Sequence, residues 1–291
     1  MDLRAIMMGL AFALMWSSAF TSARIIVSDA SPLFALSLRF FISGLLGVLI
    51  AKALGQTWQL TRTQWRAVVI FGLCQNALYL GLNFVAMQWV EAGLASIIAS
   101  TMPLMVAFAG WVVMGDRLRP LAIAGLFAGV VGVAMIMGAR LSGGVDVTGV
   151  ILCFIAAAAL TAATLAVRTA SSGGNLMMIV GLQMFVGAIA LFGAALVMET
   201  PAVTPSLKLA LAFSYTVLVP GLLATWVWFA LVGRIGAIKA ATFHFLNPFF
   251  GVAIAWALLG EALSITDFIG VAIITVGILA VQLSKQNPTE T

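Results

Sequence analysis

Apolar residues occur in long blocks along this chain, and polar residues are confined to the short breaks between them. Ten blocks are long enough to cross a bilayer as helices, which takes about 20 residues each. They run roughly over 5–27, 32–53, 66–88, 92–114, 120–139, 148–168, 176–198, 208–232, 237–259 and 267–284. The pattern predicts an all-α polytopic membrane protein of ten transmembrane helices. Such spans use about 200 positions. The short loops and tails that remain leave no room for a soluble ATPase, kinase or receptor domain. The first block is long enough to span, so it is expected to begin the bundle and not to be a separate signal peptide.

One motif occurs twice, 145 positions apart. The first copy contains Pro103, Trp111, Gly115, Asp116, Leu118, Gly125 and Gly132; the second contains Pro248, Trp256, Gly260, Glu261, Leu263, Gly270 and Gly277. Six of these seven pairs are identical, and the seventh exchanges one acid for another. Weaker echoes pair Arg24 with Arg168 and Phe84 with Phe229. The duplication predicts a five-helix repeat over 1–140, a second over 146–285 and a cytoplasmic tail over 286–291. The turn-rich segment 141–146 lies between the repeats. Because five is odd, the second repeat enters the membrane from the opposite side. Inverted repeats are a common framework of secondary transporters.

Charge sets the orientation. With the N-terminus in the cytoplasm, the inner side receives Arg4, Lys52, Arg62, Arg66, Arg117, Arg119, Arg168, Arg234, Lys239 and Lys285, and the outer side only Arg24, Arg140 and Lys208. The positive-inside rule therefore predicts that both termini are cytoplasmic. The acids Asp29, Glu91, Asp146, Glu199, Glu261 and Asp267 fall outside. Composition agrees with a membrane class: 63% of the 291 residues are hydrophobic, 8% are charged and the mean hydropathy is +1.18, whereas soluble domains carry about 25% charged residues. The net charge of +5 is spread over the inner loops, so it is not read as a nucleic-acid footprint.

Within the spans, polar groups mark candidate chemistry. No acid lies deep in any span, which argues against proton-for-cation exchange. Arg39 lies well inside span two, where an arginine costs at least ~2.5 kcal/mol; it either anchors its helix or meets an anionic substrate group. Gln75, Tyr79 and Asn83 follow i, i+4, i+8 spacing and would share one face of an α-helix, for interhelical bonding or for lining a cavity. His244 and Asn247 share a face next to Pro248. Trp16 and Trp228 sit inside spans instead of at interfaces, Gln183 adds an amide from span seven, and Ser100 lies one turn after Ser96. Such hydroxyls often bond back to their own helix. Pro103, Pro220 and Pro248 interrupt spans and are expected to free the carbonyls of Ala99, Thr216 and His244. Close helix approach is expected at Gly125, Gly129, Gly132, Gly187 and Gly193. Cys74 and Cys153 have no metal-ligand spacing. Neither a catalytic constellation nor a metal or cofactor site is expected.

The repeat, Arg39-Phe40-Phe41 and the paired Pro…Gly-Asp and Pro…Gly-Glu patterns resemble the drug/metabolite transporter superfamily in its ten-helix EamA-type branch. The first copy departs from the family's Gly-Glu pair by carrying Asp116. The resemblance implies a basket-like bundle whose central cavity is lined by spans one, three, four, six, eight and nine. It further implies alternating access and a place in the cell inner membrane. Within the family the chain looks most like bacterial amino acid exporters. The expected function is export of aromatic and other neutral amino acids or similar small metabolites, from a monomer that meets only substrate and lipid. Efflux of cationic drugs and import of a metabolite are the alternatives. The expected substrate-binding residues are Trp16, Arg39, Gln75, Tyr79, Asn83, Ser100, Gln183, Trp228, His244 and Asn247.

Overall fold

A computed structural model describes residues 2–166 and 173–285. Arg168 and the tail 286–291 lie outside the described residues, as does the side chain of Phe229. Among the described residues, ten helices are long and apolar enough to span a membrane: Leu3–Asp29, Pro32–Ala53, Arg62–Ala86, Ala92–Met114, Pro120–Ser142, Val147–Ala166, Leu176–Met198, Leu207–Ile235, Lys239–Leu259 and Ile265–Ser284. We number them spans one to ten. The apolar blocks located them to within a few residues. Span three starts earlier than its apolar block because Thr61 and Gln64 form a reciprocal capping box. That box satisfies the first N–H groups of the helix before the apolar residues begin.

Several spans are not uniform α-helices. Span three turns π-helical over Gly72–Tyr79, and span eight does so over Val217–Leu223. Both segments begin 145 positions apart, at Gly72 and Val217, so the repeat extends to backbone geometry. Pro220 has no N–H for the carbonyl of Thr216. A π-register pairs each carbonyl with the N–H five residues on, which is Gly221. Span four divides at Thr101 into Ala92–Ser100 and Met102–Met114. Span nine passes through a 3-10 turn, Phe243–Leu246, before Asn247–Leu259. These turns correct one expectation. The carbonyls of Ala99 and His244 are not left free, because N–H groups at the ends of these helices take both.

By internal packing the chain forms two compact units. Unit one comprises Met1–Thr21, Trp89–Ile151 and Leu223–Thr291; unit two comprises Ser22–Gln88 and Leu152–Leu222. Each unit draws segments from both halves of the chain.

In unit one, spans five and ten pack backbone to backbone. A Cβ on Gly125 would lie 2.6 Å from the carbonyl oxygen of Gly277, and one on Gly132 would lie 2.9 Å from that of Gly270. These four glycines are the repeat-related pairs, and they meet in crossed order, so the two helices run antiparallel. Spans four and nine pair similarly, with Ser96 against Gly251. The C-terminal end of each of these two spans explains the Gly-acid motif. Gly115 and Gly260 adopt left-handed φ values of 71° and 69°, a helix stop that favours glycine. Just beyond the stop, Glu261 accepts from the N–H groups of Ala92 (2.7 Å) and Gly93 (2.9 Å). It thereby caps the N-terminus of span four, where a carboxylate is favoured. Nearby, Arg140 at the end of span five bridges Glu91 (2.6 Å) and Asp267 (3.0 Å). This agrees with placing all three on one side of the membrane.

In unit two, spans two and seven are joined in the same way. Ser37 donates to the carbonyl of Ala188 (2.9 Å). A Cβ on Gly44 would lie 3.1 Å from the carbonyl oxygen of Gly181. The order again gives antiparallel helices. Glu199, after span seven, caps the start of span two through the N–H groups of Leu33 (2.9 Å) and Phe34 (3.1 Å). Gln56, after span two, accepts from Met178 at the start of span seven (3.0 Å). Gly187 meets Asn76 closely, but nothing lies within 4 Å of a Cβ placed on Gly193. The close approach expected at Gly193 is therefore absent.

Asp2 pairs with Arg234 at the edge of unit one. Hydrogen bonding to Arg234 and its positive charge hold the Asp2 carboxyl near a pKa of about 2, below the ordinary 3.8. The sign follows from the lowered value. The pair contributes above about pH 4 and is lost as pH falls through about 2. Because the pair is exposed, Asp2→Asn should change the thermal midpoint only slightly at pH 7. The difference from wild type should shrink when the melts are repeated near pH 2.

Candidate functional site

Unit one gathers an aromatic cluster from three spans. Phe12 and Trp16 are one turn apart on span one and share a face. The Phe12 ring lies 5.7 Å from Trp16, 4.8 Å from Trp228 and 5.3 Å from His244. Trp228 meets His244 edge-on at 5.1 Å. Phe12 is buried, with Ala224 and Val227 packed around it. Sequence reasoning missed Phe12, although its i, i+4 relation to Trp16 was a usable signal. Asn247 follows one helical turn after His244, and its carbonyl accepts from the Ser17 hydroxyl (3.2 Å).

Two polar atoms at this cluster are not saturated: His244 Nδ1 and Asn247 Oδ1 are enclosed and have no hydrogen-bond partner. An enclosed polar atom without a partner costs about 1–3 kcal/mol, so these two, one helical turn apart, mark a place where a polar ligand would be welcome. Ser100, by contrast, spends its hydroxyl on the carbonyl of Ser96 (2.6 Å). That is the back-bonding alternative foreseen for it. Trp226, two residues from Trp228, is 61% exposed and faces away from the interior.

Unit two holds the other predicted residues: Arg39, Gln75, Tyr79, Asn83 and Gln183. Gln75 and Tyr79 belong to the π-helical segment, and Asn83 lies in the α-helical turns that follow it. Asn83 is buried and its amide donates to the carbonyl of Tyr79 (2.8 Å), while its Oδ1 has no partner. Gln183 contributes through its backbone, whose carbonyl accepts from the amide of Asn76 (2.9 Å). Asn76 was overlooked, although its buried amide ties the π-segment to span seven. Arg39 is only 6% exposed and stacks over the Phe40 ring at 4.9 Å.

A bundle of membrane-length helices, with kinked spans and unsatisfied polar groups at the kinks, is the architecture of a membrane transporter. The sequence pattern of the EamA-like transporter family matches residues 3–138 and again 147–283. The chain belongs to this family, within the drug/metabolite transporter superfamily, and is a multi-pass protein of the cell inner membrane. It is 27% identical over 277 residues to the uncharacterized transporter YvbV of Bacillus subtilis, covering 94% of this chain and 90% of that one. It is 28% identical over 290 residues to the uncharacterized inner membrane transporter YedA of Escherichia coli, covering 95% and 90%. A shorter match, 27% over 139 residues and 48% of each chain, is to the aromatic amino acid exporter YddG of Ancylobacter novellus. One solved crystal structure has the same fold, with a TM-score of 0.68 at 21% identity over 96% of this chain and 98% of that one.

Proposed function

We propose that this transporter exports aromatic and other neutral amino acids, or similar small metabolites, by alternating access. The observation that carries this reading is the cluster of Phe12, Trp16, Trp228 and His244 with the unpartnered Asn247 Oδ1 beside it. Rings suit the apolar body of such a substrate, and the imidazole and amide suit its polar end. The partial similarity to an aromatic amino acid exporter points the same way. The two repeats, 1–140 and 146–285, are inverted, with both termini cytoplasmic. Crossed glycine contacts between repeat-related helices and the bias of Lys and Arg support this arrangement. Transport is non-enzymatic and needs no cofactor.

A second reading is efflux of lipophilic cations, which aromatic rings also attract. Against it, the described acids lie at span ends, and Glu261, Glu199, Asp267 and Glu91 are engaged in caps or ion pairs.

The test is uptake into proteoliposomes. Labelled phenylalanine should enter faster than into empty liposomes and saturate. Equal rates would reject amino acids as substrates, and faster entry of a lipophilic cation would favour the second reading. His244→Ala and Asn83→Ala should each cut uptake about tenfold, as expected for one lost substrate hydrogen bond. Wild-type rates in either variant would remove that residue from substrate binding. The pH profile of His244→Ala would show whether the imidazole carries a coupling proton.

A further inference from the structure

Trp111 and Trp256 are repeat-related tryptophans of unit one, and the transport reading uses neither. Each stands four residues before the glycine that stops its helix, Gly115 in span four and Gly260 in span nine. Their side chains are on the surface, 50% and 58% exposed. Among the described residues, neither indole N–H meets an acceptor. Such a donor is costly in hydrocarbon. At the membrane interface it is satisfied, because lipid carbonyls and water accept from it while the ring stays in apolar surroundings.

The register of the two spans gives the separation of these rings. Spans four and nine run antiparallel, because Glu261, beyond the end of span nine, caps the start of span four. Ser96 lies against Gly251, and a Cβ on Gly93 would meet Val252 Cα and Ala255 Cβ, each at 3.7 Å. Trp111 lies 15 residues beyond Ser96, and Trp256 lies five beyond Gly251 in the opposite direction. At 1.5 Å per residue the two stand about 30 Å apart along the helices. The hydrocarbon core of a bilayer is also about 30 Å thick.

Charged residues gather outside the same two levels. Glu261 and the Glu91–Arg140–Asp267 group mark the Trp256 end. Asp116, Arg117 and Arg119 follow Trp111, and Lys285 is within reach of the Asp116 charge. The segments 92–114, 120–139, 240–259 and 268–284, from spans four, five, nine and ten, carry no Asp, Glu, Lys or Arg.

We propose that Trp111 and Trp256 are lipid-interface anchors, one in each leaflet, that set the depth of unit one and match it to a hydrocarbon core of about 30 Å. Their partner is the ester-carbonyl layer of a phospholipid, whatever its headgroup. The proposal holds whichever solute is carried.

The test uses the full chain reconstituted in phosphatidylcholine brominated either near the headgroup or near the chain ends. The emission that Trp111→Phe or Trp256→Phe lacks, relative to wild type, isolates one tryptophan. Each such component should lose a larger fraction of its intensity to shallow bromines than to deep ones. Stronger quenching by deep bromines would overturn the proposal. So would the absence of quenching by either, which would mean that a second copy of the chain covers the ring. A second measurement starts from wild type alone. Its thermal midpoint in nanodiscs of phosphatidylcholines of increasing chain length should peak at a hydrocarbon thickness of about 30 Å. Combining Trp111→Leu with Trp256→Leu should flatten that peak. No peak, a peak in a clearly thinner or thicker bilayer, or an unchanged peak in the double variant would overturn the assignment.

Discussion

Gly125→Leu is expected to yield no monodisperse folded protein. The new Cβ would stand 2.6 Å from the carbonyl oxygen of Gly277, 3.0 Å from Ala280 Cβ and 3.1 Å from Val281 Cγ2. The nearest of these atoms is backbone, so no rotamer change relieves the clash, and the helices must separate. Membrane helices are held largely by close packing and interhelical hydrogen bonds, since lipid is as apolar as leucine. Even ordinary overpacking costs about 1–3 kcal/mol, and a backbone clash that parts two spans costs more. The reciprocal Gly277→Leu should fail equally, because its Cβ would meet the Gly125 carbonyl at 2.7 Å and the Gly129 nitrogen at 2.9 Å. Gly193→Leu is the control, since nothing lies within 4 Å of that position. Size-exclusion profiles and thermal midpoints in detergent decide the matter. A folded Gly125→Leu with a wild-type midpoint would mean that spans five and ten do not touch at these glycines.

The second large effect is expected at Glu261. Its two oxygens hold the N–H groups of Ala92 and Gly93, which have no partner within their own helix. Hydrogen bonds to charged groups contribute about 1.5–3 kcal/mol each. Glu261 is partly exposed, and solvent reduces that figure. Glu261→Ala should therefore lower stability by about 2–3 kcal/mol, and Glu261→Gln by roughly half as much, because one acceptor oxygen remains. The midpoint shifts, measured with and without salt, test this. A salt-insensitive loss equal in both variants would show that the carboxylate's charge is not what caps the helix.

This cap shows where the sequence could be read and where it could not. The pairing of Gly115-Asp116 with Gly260-Glu261 was plain at fixed offset. The role of the acid was not, because its partners, Ala92 and Gly93, lie 169 and 168 positions away. The break at Pro220 was likewise visible, because proline lacks the donor a helix needs. Its repeat-related position carries Gln75, which looks like any helical residue, yet span three is π-helical there too. Only packing against span seven, through Asn76 and Gly187, distinguishes that segment. Phe12 was hidden for a similar reason. One phenylalanine in an apolar span resembles the others until Trp228 and His244 are brought to it.

The sequence by itself determined the ten spans, their lengths and the duplication. These follow from local hydropathy and from identity at one offset, and lipid imposes helix on any such block. It also marked Arg39 as out of place, since a charge is conspicuous among apolar neighbours. The tertiary structure alone decided which helices pair, which segments make up each compact unit, and which polar groups end without partners. An apolar helix carries no polar face to name its neighbour, so those choices rest on small-residue contacts and distant caps that no local pattern encodes.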